Sequence, residues 1–388
     1  MINFHNLEKA FAAKSDAELR NDYLLFKIIG NQWLTKAAPS LTGFALKFRL
    51  PVKRIIKATL FKHFCGGEYI EECNKTVAKL HQYKVGSILD YSAEGEEKEE
   101  KFDFTEKEII ATILHAKGDP AIPFCVFKPT GVARLALLEK VSSGKTLVAG
   151  EAEEFNRVIN RIKNICRTAA ENNVRIFVDA EETWIQKAID DLVTQMMAEY
   201  NKQQPIVYNT IQLYRTDRLD FLKQAYEHAL RNNYWLGIKL VRGAYMEKER
   251  DRAKQLGYPS PIHATKSGSD RDFDAALRFC VKHVDRVAIC AGTHNEHSSM
   301  LLVQLMKEKN IPANDPKIYF SQLLGMSDHI SYNLASAGYN VAKYVPYGPV
   351  ATVLPYLIRR AQENTSIAGQ MGRELSLIVE EMKRRKKG

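Results

Sequence analysis

Near its C-terminus the chain reads YVPYGPVATVLPYLIRRAQEN, and this stretch concentrates groups that could do chemistry. Pro346, Gly348 and Pro349 impose a turn, after which the spacing predicts a helix from about Val350. On that helix Tyr356 precedes Arg359 and Arg360 by three and four positions, and Glu363 follows them by four and three, so the four share one face. Guanidinium forks grip carboxylate or phosphate through two parallel hydrogen bonds, a geometry an ammonium lacks. On an ordinary solvated helix an arginine pair usually has no function. Here the pair follows directly on the last of a series of strand-like runs, and that position raises its interest.

Those runs must position the chemistry. From Val85 onward short apolar, β-rich segments (VGSILDY, IPFCVFK, VRIFVDA, PIVYNTIQLY, WLGIKLV, RVAICAGT, KIYFSQLL and YNVAKYV) alternate with longer helical patterns. The helical candidates include Glu153 to Asn172, Thr183 to Tyr200, Leu219 to Asn232, Asp270 to His283, Ser298 to Lys309 and Met326 to Ala337. Repetition of strand and helix predicts an α/β fold, a (β/α)8 barrel, with an open doubly wound sheet as the alternative. Barrel enzymes carry their chemistry where strands end. In strand order those edges offer Asp90 and Glu94; Lys128; Asp179 and Glu181; Gln212 and Tyr214; Lys239, Arg242, Gly243 and Tyr245; Thr293, His294 and Asn295; Gln322; and Lys343 with Tyr344. This mixture suits a polar ligand of mixed charge together with a planar or phosphate-bearing partner.

Ahead of the barrel, residues 1–83 carry helix-like spacing with little alternation and are expected to form a helical arm; residues 84–388 form the catalytic barrel. A basic-amphipathic stretch from Phe48 to Phe64 could lie on a membrane surface, although packing onto the barrel is the preferred expectation.

Bulk properties exclude several classes. With 45% hydrophobic and 26% charged residues over 388 positions the chain has globular composition. No run approaches the roughly 18 to 20 apolar residues of a membrane-spanning helix. Glu8, Asp16 and Glu18 sit where a secretory signal or transit peptide would be free of acids, and six cysteines in no metal-like spacing suit a reducing cytosol. The net charge of +10 admits nucleic acid, an anionic membrane or an anionic ligand as partner. Part of the excess lies in Lys383 to Lys387, read as a solvated tail, and Glu94 to Lys101 reads as an acidic loop. SSGKT at Ser142 to Thr146 lacks the leading glycine of a P-loop, since Glu139 stands there, and no G-x-G-x-x-G follows a strand. His263, His294, His297 and Asp179 form no H-x-H or H-E-x-x-H pattern, so no metal is expected.

KLVRGAYMEKE, GTHN, QLLGM (Gln322 to Met326), KYVPYG and YLIRRAQEN, in this order at successive strand ends, resemble the proline dehydrogenase family over about Val85 to Asn364. The resemblance implies a distorted (β/α)8 TIM-like barrel whose last helix sits over the strand ends. It also implies two-electron oxidation of L-proline to Δ1-pyrroline-5-carboxylate by hydride transfer to N5 of FAD, with electrons passed to a membrane quinone. By positional match Lys128, Arg359 and Arg360 are similar to the cations that hold the proline carboxylate. Tyr245, Leu323, Tyr344 and Tyr356 resemble the walls around its ring. Glu94 resembles the carboxylate that closes the pocket on the arginine pair, and Asp179 the acid beside Lys128. Gln212, Lys239, Arg242, Gly243, Ala244, Thr293, His294, Asn295 and Glu363 occupy the family's cofactor positions. Lys239 and Arg242 exchange the arginine and lysine that many bacterial relatives carry there, which leaves the donor near N5 open.

The chemistry matches these residue types. Hydride leaves the ring carbon only if the amine lone pair stabilises the forming iminium, so the nitrogen should be neutral and the carbon held against the flavin. A cationic clamp on the carboxylate orients the substrate and disfavours a protonated amine. The expectation is therefore a proline dehydrogenase acting without the aldehyde dehydrogenase domain of bifunctional relatives, cytoplasmic and peripheral to the inner face of the respiratory membrane. Its rivals are hydroxyproline oxidation, which Tyr344 should disfavour by crowding the ring, and a non-catalytic binder of nucleic acid or membrane surfaces.

Overall fold

The computed structural model describes residues 2–29, 57–366 and 370–387, with the side chains of 29, 361–366, 370 and 371 outside the description. Eight strands form a closed parallel barrel in sequence order: β1 (Val85–Tyr91), β2 (Phe124–Phe127), β3 (Arg175–Val178), β4 (Val207–Gln212), β5 (Leu236–Val241), β6 (Val287–Gly292), β7 (Ile318–Leu323) and β8 (Val341–Tyr347). The expected (β/α)8 fold is the observed one, and each of the eight apolar runs supplies its strand. The runs read as continuous rather than alternating because a barrel strand is covered on both faces, by helices outside and by other strands' side chains within.

Helices appear where apolar residues recur at three and four positions. The helix α7 (Thr183–Tyr200) buries Ile185, Ala188, Ile189, Leu192, Val193, Met196 and Met197, a stripe whose larger members each stabilise by about 1.5 to 3 kcal/mol. In chain order the others are α1 (Leu7–Ala10), α2 (Asp16–Ile29), α3 (Ile70–Gln82), α4 (Glu99–Ala116), α5 (Leu135–Ser142), α6 (Ala149–Glu171), α8 (Arg218–Arg231), α9 (Met246–Leu256), α10 (Lys266–Lys282), α11 (Glu296–Glu308), α12 (Asp328–Ser336), α13 (Val350–Ser366) and α14 (Gln370–Lys387). A π-helical turn, Lys57–Phe61, runs into a short α-helical one, Lys62–Phe64. Most of the basic-amphipathic stretch, up to residue 56, lies outside the described residues.

Two expectations change. The acidic tract Glu94 to Lys101 is loop only as far as Lys98; Glu99 and Glu100 form the first turn of α4, where carboxylates favour the positive helix end. The basic run at Lys383 to Lys387 is no tail but the last turn of α14. There Arg385 pairs with Glu381 and Asp16 and donates to the carbonyls of Phe11 and Lys14 at 2.9 Å.

The described chain forms two compact units, residues 1–87 with 322–388, and residues 88–321. In the second, Phe124 and Phe177 stack at 4.4 Å between ring centroids, and Tyr208 and Tyr319 meet them edge-on. These rings come from β2, β3, β4 and β7, so they meet inside the barrel rather than along a sheet face. Arg175 lies 5.3 and 5.4 Å from two of the rings and donates to the Pro316 carbonyl. In the first unit Phe61, Phe64, Cys65 and Met326 pack with Val350, Val353, Tyr356 and Leu357 of α13.

Candidate active site

Side chains along a strand alternate sides, so residues two apart share one. Counting on from the aromatic plug toward the strand C-termini, Phe124 leads to Val126 and Lys128, Phe177 to Asp179, and Tyr208 to Thr210 and Gln212. Lys239 of β5 belongs to the same layer, its ammonium 5.2 Å from the Phe177 ring. Above the aromatic floor the lumen therefore turns polar, at the barrel end where strands finish.

That layer is a chain of alternating charge. Lys128 Nζ lies 3.3 Å from Asp90 Oδ2 and 3.8 Å from Asp179 Oδ2, and Lys239 donates to Asp179 Oδ1. All four side chains are almost wholly removed from solvent. Two carboxylates against two ammoniums keep the layer neutral, the condition under which buried charge is tolerated. Asp90 also accepts from Ser92 at 2.5 Å, while its second oxygen has no hydrogen-bond partner among the described residues. Gln212 donates to the Glu181 carbonyl at 3.0 Å, and its own amide oxygen likewise lacks a partner among the described residues.

Beyond β5, Gly243 adopts φ of +135°, and a Cβ there would fall 2.5 Å from the Tyr214 ring, so this turn requires glycine. The turn delivers Arg242 to the edge of β6. The guanidinium donates to Asp270 at 2.7 Å, to Thr293 Oγ1 at 2.7 Å and to Ser298 at 3.0 Å, over the Phe273 ring. Asn295 caps α11 by accepting from the Ser298 amide, and His294 beside it is half-buried. Ala244 is exposed, and Tyr245 is half-buried ahead of α9.

Glu94 stands in the β1–α4 loop, whose backbone hangs on Thr130: Gly95 N donates to Thr130 Oγ1 and Glu96 N to its carbonyl, both at 3.2 Å. Thr130 in turn donates its amide, at 2.9 Å, and its hydroxyl, at 2.5 Å, to Glu181. Burial, with Glu182 alongside, pushes the Glu181 carboxyl up to about 8 against the pull of those two hydrogen bonds.

In the other unit, Arg360 of α13 is buried with its guanidinium 5.0 Å from the Tyr356 ring, and Arg359 beside it is half-buried. Leu323 packs against the cluster containing Tyr356. Tyr344 is buried on β8, its carbonyl accepting from Leu324 N at 3.0 Å. The side chain of Glu363 lies outside the described residues.

Within the larger unit the structure thus brings together Lys128, Asp179 and Lys239, and separately Arg242 and Thr293. Within the other it brings together Tyr356, Arg360 and Leu323. Residues 73–373 match the family model for proline dehydrogenase. The chain belongs to the proline dehydrogenase family. As such it is an oxidoreductase. A carbapenem antibiotics biosynthesis protein, CarD, of Pectobacterium carotovorum is 34% identical over 93% of this chain and 94% of its own length. Proline dehydrogenase 1, mitochondrial, of Dictyostelium discoideum is 31% identical over 97% of this chain and 74% of its own. A hydroxyproline dehydrogenase of Xenopus laevis is 31% identical over 97% and 88%. Among solved structures, proline utilization A from Bdellovibrio bacteriovorus, inactivated by N-propargylglycine, superposes with a TM-score of 0.74 at 19% identity. That match covers 94% of this chain and 38% of that one, and the likeness is one of fold.

Position at strand ends does not mark the partners of the candidate site residues. Thr130, which suspends the Glu94 loop, and Asp270 and Ser298, which fix Arg242, lie 28 or more positions from the groups they hold. No local spacing marks such contacts.

Proposed function

We propose that the chain oxidises L-proline to Δ1-pyrroline-5-carboxylate with bound FAD, and passes the electrons to a quinone. The observation that carries this reading is the charged layer of Asp90, Lys128, Asp179 and Lys239 above an aromatic floor, in a chain whose family is proline dehydrogenase. The donor set suits FAD. The amide oxygen of Gln212 is buried without a hydrogen-bond partner among the described residues, and Lys239, Arg242, Thr293, His294 and Asn295 offer cations and hydrogen-bond groups. Gly243, Ala244 and Glu363 complete the set carried over from the family.

When bound, FAD would supply a two-electron acceptor for hydride. The protein's own part is placement. Lys128, Arg359 and Arg360 hold the proline carboxylate, with Asp179 keeping the Lys128 ammonium oriented. Tyr245, Leu323, Tyr344 and Tyr356 wall the ring, and Glu94 closes the pocket. Positive charge at the carboxylate disfavours a second cation nearby and so holds the amine nitrogen neutral. The carbon–hydrogen bond beside that nitrogen breaks, a carbon–nitrogen double bond forms, and the amine proton leaves to solvent. No side chain need act as nucleophile. No helix among the described residues is long and apolar enough to cross a membrane; because quinone is lipid-soluble, the proposal includes peripheral contact with the respiratory membrane.

The relative named hydroxyproline dehydrogenase supports a second substrate reading, 4-hydroxyproline, against which Tyr344 is expected to discriminate. One experiment separates these readings. Purified protein should be yellow, its flavin should bleach anaerobically with L-proline faster than with 4-hydroxyproline, and quinone in anionic liposomes should restore the colour. A colourless protein unaffected by added FAD would end the proposal, and faster bleaching by 4-hydroxyproline would exchange the substrates.

A further inference from the structure

Lys343 of β8 has no exposed surface. It donates to the carbonyls of Met326 and, at 3.4 Å, Leu323, and it pairs with Asp328 Oδ1 at 2.8 Å. The other oxygen of Asp328 accepts Lys14 Nζ at 2.8 Å, and Lys14 also reaches Asp22 Oδ2 at 2.6 Å. Asp22 Oδ1 lies 2.8 Å from His63 Nδ1, and His63 Nε2 lies 2.9 Å from the carbonyl of Gly325. The path is a closed circuit. It leaves the start of α12 at Asp328 and returns to the loop before it at Gly325.

Both nitrogens of His63 thus face oxygen atoms, one of the Asp22 carboxylate and one of the backbone. Glu374 adds a further tie to this segment, accepting from the Ser327 amide at 2.7 Å. Burial alone would lower the pKa of Lys14, and Asp328 and Asp22 outweigh it and raise it. Lys14 therefore stays charged.

The segment needs such support. Gly325 has φ of +75° and Ser327 of +51°, and a Cβ at Gly325 would fall 2.6 Å from the His63 ring. A serine in the left-handed region is strained and persists only where its surroundings over-determine it. Ion networks in a core are seldom the cheapest source of stability, since apolar side chains of similar volume do as well. What this one supplies is a fixed backbone between Leu323 and Asp328, beside the residue that follows Lys343, Tyr344.

We propose that Lys14 and His63, from the N-terminal segment, are positioning residues for the wall of the substrate ring: through Asp22, Asp328 and Lys343 they set where Leu323 and Tyr344 stand. This rests on the proline dehydrogenase reading of those two side chains.

The test uses the full chain with Lys14→Met and Lys14→Arg, and reads hydrogen exchange together with kinetics. Lys14→Met should speed amide exchange in residues 323–327 while exchange in β2 to β6 is unchanged. It should raise the KM for L-proline by roughly tenfold with little change in kcat, the loss expected from slight misplacement. It should also narrow the ratio of kcat/KM between L-proline and 4-hydroxyproline. Lys14→Arg should recover most of each effect. Unchanged exchange in 323–327 would overturn the proposal, as would a general rise in exchange with kcat and KM failing together. If Lys14→Met does not fold, Asp22→Asn cuts the same circuit with almost no change in volume and is judged by the same outcomes. Exchange needs no substrate. A wild-type protein inert toward proline would defeat the substrate reading and with it the ring-wall role, whereas unchanged exchange beside intact proline oxidation defeats the anchoring alone.

Discussion

Arg359 and Arg360 carry the most exacting residue-scale expectation. A carboxylate held by two guanidiniums loses a charge-assisted bond when either is removed, so Arg359→Met or Arg360→Met should weaken proline binding by about 2 kcal/mol, roughly thirtyfold in KM. Steady-state kinetics check this, and unchanged constants in both variants would place the clamp elsewhere. At this scale much was legible. Lys128, Asp179 and Lys239 were named from strand ends alone, because the direction of the chain says which end of each strand carries polar groups; that the three share one layer is seen only in the fold. Their pairing was not legible: Asp179 lies 3.8 Å from Lys128 and closer to Lys239, a choice set by where β5 stands relative to β3. Asp90 stood in the strand-end inventory without a role, and only its 3.3 Å approach to Lys128 shows why it is there.

At the scale of elements, the β1–α4 loop depends on Thr130 and Thr130 on Glu181. The Glu181 carboxyl is raised from 4.5 to about 8, mainly by burial. A raised folded value means that the native state binds a proton more tightly than the unfolded chain does. Its contribution is therefore complete below pH 4.5 and is lost as pH rises through about 8. Thermal unfolding of the wild type should show this decline, and Glu181→Gln, which stays neutral, should flatten it over the same window. A slope that persists in the variant would assign the titration to another group. The helix α4 was not among the helical candidates read from the sequence. The charged run Glu94 to Lys101 masks the helix start at Glu99, which becomes visible once Arg157 and Arg161 of α6 are seen pairing with Glu99.

At the scale of the whole molecule, chain ends far apart in sequence are joined within one unit. Leu377 and Ile378 of α14 pack with Ala10, Phe11, Leu19 and Phe26, and Arg385 donates to the backbone at Phe11 and Lys14. The Asp22 carboxyl within this unit lies below its ordinary 3.8, at about 2: burial opposes the shift, and Lys14 and His63 overcome it. Asp328 is lowered in the same sense, against its burial, by Lys14 and Lys343. For a depressed acid the stabilisation is present above 3.8 and is lost as pH falls toward 2, on the order of 2 kcal/mol for Asp22 alone. The melting temperature should therefore fall steeply across that window, and Asp22→Asn should melt lower at neutral pH with a shallower acid limb. Equal acid limbs would show that the circuit does not control acid unfolding.

By itself the sequence determined the alternation of eight buried parallel strands with helices, because such strands must read as apolar runs and their helices as stripes of period near 3.6; closure into a barrel rather than an open doubly wound sheet belongs to the tertiary structure. It also determined which residues stand at the strand ends, since period and direction are local properties. The tertiary structure decided which charge meets which, that the basic C-terminal run is a helix fastened to the N-terminus, and that Lys14, Asp22 and His63 grip the segment after β7. Those outcomes depend on distances between parts of the chain that no local period encodes. They are settled by the need of each buried charge to find an opposite one wherever the fold brings it.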